Sequence, residues 1–272
     1  MRLAISNIAW AGGDFWQYAA LAKRLGCDGV ELAASLIWPE PVSSTKAERF
    51  EFQNRIIDLG LNLVGLHALL FTRPDLRVFG SGAELRNTID YLKSSCELCR
   101  DLGGKTLAFG SPKNRRRGVM PRAEAFRRGA DFFRQVCEAA AGYDVLLLIE
   151  PLGSETDFVR SSTEALDLIE GVAHPNFQLL LDAKALVDVG EDPAVVFRRC
   201  GDYVRHFHAS EPNLAPPGSA GVNHALIARE LNRVHYRGYV SIEMRNKFGR
   251  PDNVIPEAVR YVRKCYGEMV EP

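Results

Sequence analysis

The sequence has no net charge, no long apolar run and no recognisable signal-peptide pattern in its first residues. Its 272 residues carry 34 basic and 34 acidic side chains, so it has no basic excess of the kind with which proteins usually bind nucleic acid. No apolar segment reaches the roughly 18 residues that a membrane-spanning helix needs. The N-terminal segment MRLAISNIAW lacks the signal-peptide pattern of a charged leader, an apolar core and a small-residue cleavage site. We therefore expect a cytoplasmic protein that binds neither nucleic acid nor membranes.

The six cysteines are too few and too scattered to form a disulfide framework in a chain of this length. Only Cys96 and Cys99 form a CxxC pair. This pair lies in a segment of helical periodicity, and no second pair is present to complete a zinc site. We expect the cysteines to be reduced thiols that serve as small apolar residues.

Hydrophobic residues make up 46% of the chain and follow two alternating patterns. Short runs rich in valine, isoleucine and leucine predict strands, and longer segments with apolar residues three and four apart predict helices. Eight repeats of this unit predict an α/β fold, a single (β/α)8 TIM barrel that spans residues 1–272. The predicted strands are Leu3–Ile8, Gly29–Ala33, Asn62–His67, Lys105–Phe109, Val145–Glu150, Gln178–Asp182, Val204–His208 and Gly238–Glu243.

The last four predicted strands each end on a side chain that can bind a metal ion or transfer a proton. These residues are Glu150, Asp182, His208 and Glu243. Strand ends converge at the C-terminal face of a barrel, which holds the active site in this fold. A single strand-end acid often caps the following helix, but four unpaired polar groups at one point would cost on the order of several kcal/mol. The pattern therefore predicts a cation site.

The predicted ligand set is rich in oxygen and contains one nitrogen. Such a set favours a roughly octahedral divalent ion over tetrahedral zinc, and it leaves coordination positions for substrate oxygens. We therefore expect one divalent metal ion as cofactor, with Mn²⁺, Mg²⁺ or Co²⁺ preferred to Zn²⁺.

Four segments between Val145 and Met244 carry a resemblance to a known family. The segments EPLGSETDFVRSSTEAL, HPNFQLLLDAKAL, GDYVRHFHASEPNLAPPG and GYVSIEM are similar, in the same order, to the patterns EPLNRxETxF, HPNxxLLLDTYHM, GxHxGEPNRxxPG and GYxGxxxxE. These patterns belong to the xylose isomerase-like sugar isomerases and epimerases, TIM barrels that the chain resembles over most of its length. The greatest likeness is to the ketose 3-epimerases of the tagatose and psicose type.

The resemblance implies a metal-dependent isomerase, either a ketose epimerase or an aldose–ketose isomerase. It implies that Glu150, Asp182, His208 and Glu243 bind the metal ion. It also implies that Glu150 and Glu243 form the acid/base pair that moves a proton beside a ketone, through a metal-bound enediolate. The expected partner is a small sugar or sugar phosphate of carbohydrate metabolism, and the expected assembly is a homodimer or homotetramer.

Two other functions remain open from the sequence. A dehydratase of the inosose type needs the same metal-stabilised chemistry but expels a hydroxyl group. A sugar-binding relative without turnover would keep the barrel and lose catalysis. The related endonucleases that cut DNA at abasic sites need further ligands, and at those positions this chain has Phe109 or Gly110, Ala185, and residues 223–225 (Asn-His-Ala). The sequence therefore argues against a role in DNA repair.

The chain departs from the family patterns where the family recognises its sugar. The pattern DTYHM becomes DAKAL, so Ala185 replaces a histidine that contacts substrate. The pattern EPNR becomes EPNL, so Leu214 replaces a substrate-binding arginine, while Glu211 and Asn213 keep the family residues. Glu155 aligns with the family's second, substrate-contacting glutamate. We expect Glu155, Glu211 and Asn213 to bind substrate in a pocket whose recognition is otherwise changed.

Five further residues are predicted to line the pocket. Lys184 stands two residues after Asp182, so both side chains face the same way if the strand continues, and Lys184 then holds a phosphate or carboxylate group of the substrate. The alternative is a solvent-exposed lysine at the start of the next loop. The other four lie at strand ends or in loops of the active face, and they are His67, Trp10, Asn114 and Arg115.

Overall fold

Eight parallel strands close into a barrel in residues 1–267, the part of the chain that this computed structural model describes. Each strand pairs with the next along the chain, and the last pairs with the first. The predicted barrel and all eight predicted strands are therefore confirmed. The strands are β1 (Arg2–Ser6), β2 (Gly29–Ala33), β3 (Asn62–His67), β4 (Thr106–Phe109), β5 (Leu146–Ile149), β6 (Phe177–Asp182), β7 (Val204–Ala209) and β8 (Tyr239–Ile242).

Helices connect the strands and cover the outside of the barrel, so the strands are buried on both faces and read as nearly continuous apolar runs. The α-helices are α1 (Phe15–Arg24), α2 (Lys46–Asp58), α3 (Gly82–Asp101), α4 (Arg122–Gly142), α5 (Ser162–Val172), α6 (Ala183–Asp188), α7 (Pro193–Cys200), α8 (His224–Arg233) and α9 (Pro251–Val262). The short 3-10 turns are Asn7–Trp10, Ala34–Leu36, Pro41–Ser43, Gly153–Glu155, Gly201–Tyr203, Pro212–Leu214 and Asn246–Phe248, and Arg263–Gly267 is a π-helical turn. Within residues 1–267, no helix has the length and apolar character needed to cross a membrane.

Strand boundaries decide which side chains reach the mouth of the barrel. The prediction that the first strand extends to Ile8 is wrong, because Ser6 accepts a hydrogen bond from the backbone N–H of Ile8 and caps a 3-10 turn. β5 and β8 end one residue before Glu150 and Glu243. The backbone N–H groups of these two residues still bond to carbonyls of the neighbouring strand. Both glutamates therefore stand at the C-terminal mouth of the barrel.

The barrel contains buried charge as well as apolar side chains. Glu31 on β2 and His206 and His208 on β7 are each at most 1% exposed. Glu31 contacts both imidazoles, and these contacts cross the barrel because β2 and β7 are not neighbours in the sheet. Two small apolar clusters are separate from the large core between strands and helices, and they are Ala4 with Val64 and Tyr239, and Ala108 with Leu148 and Leu180.

Gly65 lets β3 and β4 pack closely, and its replacement tests the barrel geometry. A Cβ atom at this position would overlap the hydroxyl and the carbonyl of Thr106, its partner on β4. We expect Gly65→Ala to lower the free energy of unfolding by about 2 kcal/mol or more, measured by chemical denaturation. Gly142→Ala is the control, since no atom lies within 4 Å of a Cβ there. Equal stability of the two variants would contradict this packing.

Candidate metal centre and active site

The four strand-end side chains predicted as metal ligands meet at the mouth of the barrel. One atom from each of Glu150, Asp182, His208 and Glu243 lies within 4.8 Å of the others. Nδ1 of His208 lies 3.2 Å from Glu150 Oε1 and 3.4 Å from Glu243 Oε2. Asp182 Oδ2 lies 3.9 Å from the same nitrogen. We refer to these four residues as the ligand cluster.

Asp182 is held by two hydrogen bonds that use only one of its oxygens. Oδ1 accepts from the backbone N–H of Ala185 at 2.9 Å, which caps helix α6, and from the hydroxyl of Ser210 at 2.8 Å. Oδ2 is buried and has no hydrogen-bond partner, an arrangement that costs free energy unless another group satisfies it. That oxygen belongs to the ligand cluster, so a cation bound there would satisfy it.

Three carboxylates meet in the ligand cluster, where little solvent reaches them. Burial, together with the neighbouring carboxylates, raises the pKa of Asp182 to about 6. Burial alone would lower the pKa of His208, but Glu31 and Glu243 raise it well above its usual value. Three carboxylates thus face a single imidazole, which balances only part of their charge. A divalent cation, which would take the place of the proton on Nδ1, would balance two of the three negative charges.

The donors and their spacing fit a divalent cation. An octahedral ion with ligands at roughly 2.1 Å places adjacent ligand atoms about 3.0 Å apart and opposite ones about 4.2 Å apart. The distances from His208 Nδ1 to the three carboxylates are 3.2, 3.4 and 3.9 Å and lie in that range. Three oxygens and one nitrogen form a set that suits Mn²⁺, Mg²⁺ or Co²⁺.

His67 lies against the ligand cluster from the end of β3. Its Nε2 is hydrogen-bonded to Oγ of Ser6 at 2.6 Å, and its Nδ1 lies 3.6 Å from Glu243 Oε1. The imidazole is buried, with 4% of its surface exposed. The hydrogen bond to Ser6 therefore holds the ring so that Nδ1 faces Glu243. His67, which is predicted to contact substrate, thus lies beside one of the two glutamates of the ligand cluster.

Lys184 and Glu155 form an ion pair beside the ligand cluster, with Lys184 Nζ 2.7 Å from Glu155 Oε1. Burial would lower the pKa of this amine, but Asp182, Glu243 and Glu155 together raise it. The premise of a continued strand is wrong, because β6 ends at Asp182 and Lys184 lies in the first turn of α6. The Lys184 side chain is nevertheless only 13% exposed, unlike a solvated surface lysine.

Comparison with known proteins identifies the family of this barrel. The family model described as a xylose isomerase-like TIM barrel matches residues 19–265. The chain belongs to the xylose isomerase-like TIM barrel family. A D-psicose 3-epimerase of Ruminiclostridium cellulolyticum is 24% identical over 233 residues, which cover 85% of this chain and 78% of that protein. A probable ketose 3-epimerase of Synechocystis sp. is 25% identical over 164 residues, which cover 59% of this chain and 57% of that protein.

A solved structure of a relative has the same fold. The crystal structure of D-psicose 3-epimerase with D-tagatose, from Clostridium cellulolyticum H10, has a TM-score of 0.83 and 18% identity, and the match covers 98% of this chain and 99% of that one. At this identity the likeness shows a shared fold. The resemblance inferred from the sequence motifs is therefore confirmed, and the relatives in question are isomerase-type enzymes.

Arg115 and Asn114 donate hydrogen bonds to backbone carbonyls in this chain. Both residues were predicted to contact substrate. The guanidinium of Arg115 is fully buried and donates to the carbonyls of Phe109, Glu150 and Val159. Asn114 donates to two carbonyls of the loop after β3. Both residues therefore tie loops to the barrel. Their contact with substrate stays a prediction.

Trp10, Glu211 and Asn213 lie outside the ligand cluster. Trp10 is 2% exposed and stacks on Tyr18. Glu211 is buried and accepts hydrogen bonds from two backbone N–H groups of the loop after β7. Asn213 is exposed and has a left-handed backbone conformation, with φ of 62°. Trp10 thus packs against α1, and Glu211 fixes the loop after β7. The substrate contacts predicted for all three residues stay predictions.

Glu31 is a functional candidate that the sequence analysis did not identify. It lies on β2, is 0% exposed, and contacts the imidazoles of His206 and His208. Burial would raise the pKa of Glu31, but the two imidazoles hold it well below its usual range. The signal in the sequence is a glutamate in the middle of the apolar strand GVELA, where an unpaired charge would be unstable.

Replacement of Asp182 tests whether the ligand cluster binds a metal ion. Asp182→Asn keeps the shape of the side chain but removes the charge of one ligand. We expect the wild-type protein to bind one Mn²⁺ per chain in isothermal titration calorimetry. The variant should bind Mn²⁺ at least about tenfold more weakly. Loss of a group that merely hydrogen-bonds to a metal ligand already lowers metal affinity by about tenfold or more, and Asp182 is itself a predicted ligand.

Glu155→Gln is the matched control for metal binding. It also removes a carboxylate from the mouth of the barrel, but from outside the ligand cluster, and its side chain is 48% exposed. We expect its Mn²⁺ affinity to stay within about fivefold of wild type, because Glu155 is not in the ligand cluster and nearly half of its side chain is exposed, so solvent screens its charge. Wild-type affinity in Asp182→Asn would show that the ion does not bind at this site.

Proposed function

We propose that the protein is a divalent-metal-dependent epimerase of a ketose or ketose phosphate, in which Glu150 and Glu243 form the acid/base pair. The observation that carries this proposal is the ligand cluster, in which two glutamates from strands separated by β6 and β7 approach one point. The two relatives named as ketose 3-epimerases support the substrate class.

The reaction removes a proton from a carbon next to a carbonyl group, which is too weakly acidic for a carboxylate alone. An ion held by the ligand cluster would supply Lewis-acid stabilisation of the negative charge that develops on the substrate oxygens. Glu150 and Glu243 act in turn. One accepts the proton from one face of the carbon, and the other donates a proton to the opposite face. Return to the opposite face inverts the centre, whereas return to the neighbouring carbon interconverts ketose and aldose.

Contacts within the barrel hold the two glutamates in place for this transfer. Arg115 donates to the backbone carbonyl of Glu150 at 2.7 Å, and His67 Nδ1 lies 3.6 Å from the carboxylate of Glu243. Gly110 leaves room for the other carboxylate, because a Cβ at that position would lie 2.5 Å from Glu150 Oε2. Proton transfer by a pair of fixed carboxylates depends on such preorganisation.

We assign substrate recognition to the ion pair of Lys184 and Glu155. The family histidine and arginine are replaced by Ala185 and Leu214, whose side chains cannot hydrogen-bond a sugar hydroxyl. The amine of Lys184 and the carboxylate of Glu155 offer a donor and an acceptor beside the ligand cluster. The amine is also the group that would bind an anionic substituent of the substrate.

Proton exchange in D₂O tests the acid/base assignment. The metal-loaded protein is incubated with ketoses and ketose phosphates, including D-psicose, D-tagatose and D-fructose, and NMR locates the incorporated deuterium. We expect deuterium at C3 for an epimerase, or at C2 of an aldose product for an isomerase. Glu150→Gln and Glu243→Gln should each slow the exchange by about 10²- to 10⁴-fold, the usual contribution of a general acid or base.

Both glutamates are also predicted ligands, so each variant is assayed at a metal concentration that saturates it. Glu138→Gln, on an exposed position of α4, is the control and should exchange at the wild-type rate. A dehydrated product would support a dehydratase of the inosose type instead, and binding without exchange would support a sugar-binding protein without turnover. Unchanged exchange in metal-saturated Glu150→Gln would contradict the two-glutamate assignment.

A further inference from the structure

A buried carboxylate lies on the other side of His208 from the ligand cluster. Oε2 of Glu31 lies 3.1 Å from His208 Nε2 and accepts a hydrogen bond from the hydroxyl of Ser241 at 2.8 Å. Oε1 lies 3.2 Å from Nε2 of His206. Glu31 is 0% exposed, so its charge depends on these neighbours rather than on solvent.

The two ring nitrogens of His208 face different carboxylates. Nδ1 faces Glu150, Asp182 and Glu243, and Nε2 faces Glu31. A nitrogen that binds a metal ion must be unprotonated, and a neutral imidazole carries one N–H. An ionised carboxylate can only accept, so Glu31 favours the tautomer with the N–H on Nε2. In that tautomer the lone pair of Nδ1 is directed into the ligand cluster.

We propose that Glu31 is a positioning residue of the metal centre, which fixes the ring and the tautomer of His208 so that Nδ1 binds the ion. This inference rests on the metal-dependent function proposed above. Packing alone does not explain Glu31, because an apolar side chain would fill the same space without burying a charge. A carboxylate on the second nitrogen of a ligand histidine orients the ring and raises its basicity.

Glu31, His206 and His208 also bring ligand atoms within 4.8 Å of one another, so their use as a second metal site has to be tested. The hydroxyl of Ser241 already occupies Oε2 of Glu31. A second ion bound by His208 would also have to displace the proton on Nε2. In the neutral ring that proton leaves Nδ1 unprotonated and able to bind the first ion. We therefore expect one ion per chain.

The Mn²⁺ affinity of the full chain with Glu31→Gln tests the proposal. This change removes the charge and keeps the volume of the side chain. We expect the Kd for Mn²⁺ to rise about 10- to 100-fold, as for loss of other contacts that support a ligand. We also expect the visible absorption of the Co²⁺-loaded protein to change. A role confined to folding would lower the Tm and leave both metal readouts unchanged.

Ser241→Ala is the matched control, because it removes a hydrogen bond to Glu31 but leaves the contact between Glu31 and His208. Its Kd should stay within about fivefold of wild type, since one neutral hydrogen bond contributes about 1 kcal/mol. Should Glu31→Gln fail to fold, Glu31→Asp keeps the charge but shortens the side chain by one methylene, and it should also weaken Mn²⁺ binding.

The outcomes separate this inference from the proposed function. Wild-type affinity and spectrum in a folded Glu31 variant would overturn the inference and leave the proposed function intact. Binding of two ions per chain, with one lost in the variant, would overturn it in favour of a second metal site. Metal binding that depends on Glu31 in a protein without proton-exchange activity would support the inference and overturn the proposed function.

Discussion

Closure of the barrel brings three carboxylates and one imidazole into a space that little solvent reaches. Like charges at this separation repel strongly where the dielectric is low, so the arrangement is stable only with compensating groups. Part of the compensation is internal, since one oxygen of Asp182 caps α6 and accepts from Ser210. The other oxygen has no hydrogen-bond partner. A divalent cation in the ligand cluster would satisfy that oxygen and balance two of the three negative charges, so the same requirement links stability to the proposed chemistry.

Support for the ligand cluster comes from side chains on other strands and loops. Glu31 contacts His208 from across the barrel, His67 lies beside Glu243, and Arg115 donates to the backbone of Glu150. These supports are buried, so water does not compete for their hydrogen bonds. A site held in this way on a closed sheet is preorganised, and the proton transfer proposed for its two glutamates would require fixed carboxylates.

Local sequence was sufficient to predict the strands and the four residues that the structure brings together at the mouth. Both depend on strand periodicity and on the convergence of parallel strand ends. The pairing of Glu31 with His208 joins residues 177 positions apart, and no local pattern indicates such a partner. The direction expected for Lys184 depended on whether the strand continues past Asp182, and the capping of α6 by Asp182 shows that it does not. Arg115 was expected at the pocket because it lies in a loop of the active face after β4, but its guanidinium is buried and donates to three backbone carbonyls.

Anomalous diffraction from crystals of the protein grown with Mn²⁺ tests the central claim most directly, because it locates the ion without reference to turnover. The account predicts one anomalous peak per chain, bounded by the carboxylates of Glu150, Asp182 and Glu243 and by Nδ1 of His208. A peak between Glu31, His206 and His208, or no peak within reach of Asp182 Oδ2, would contradict it.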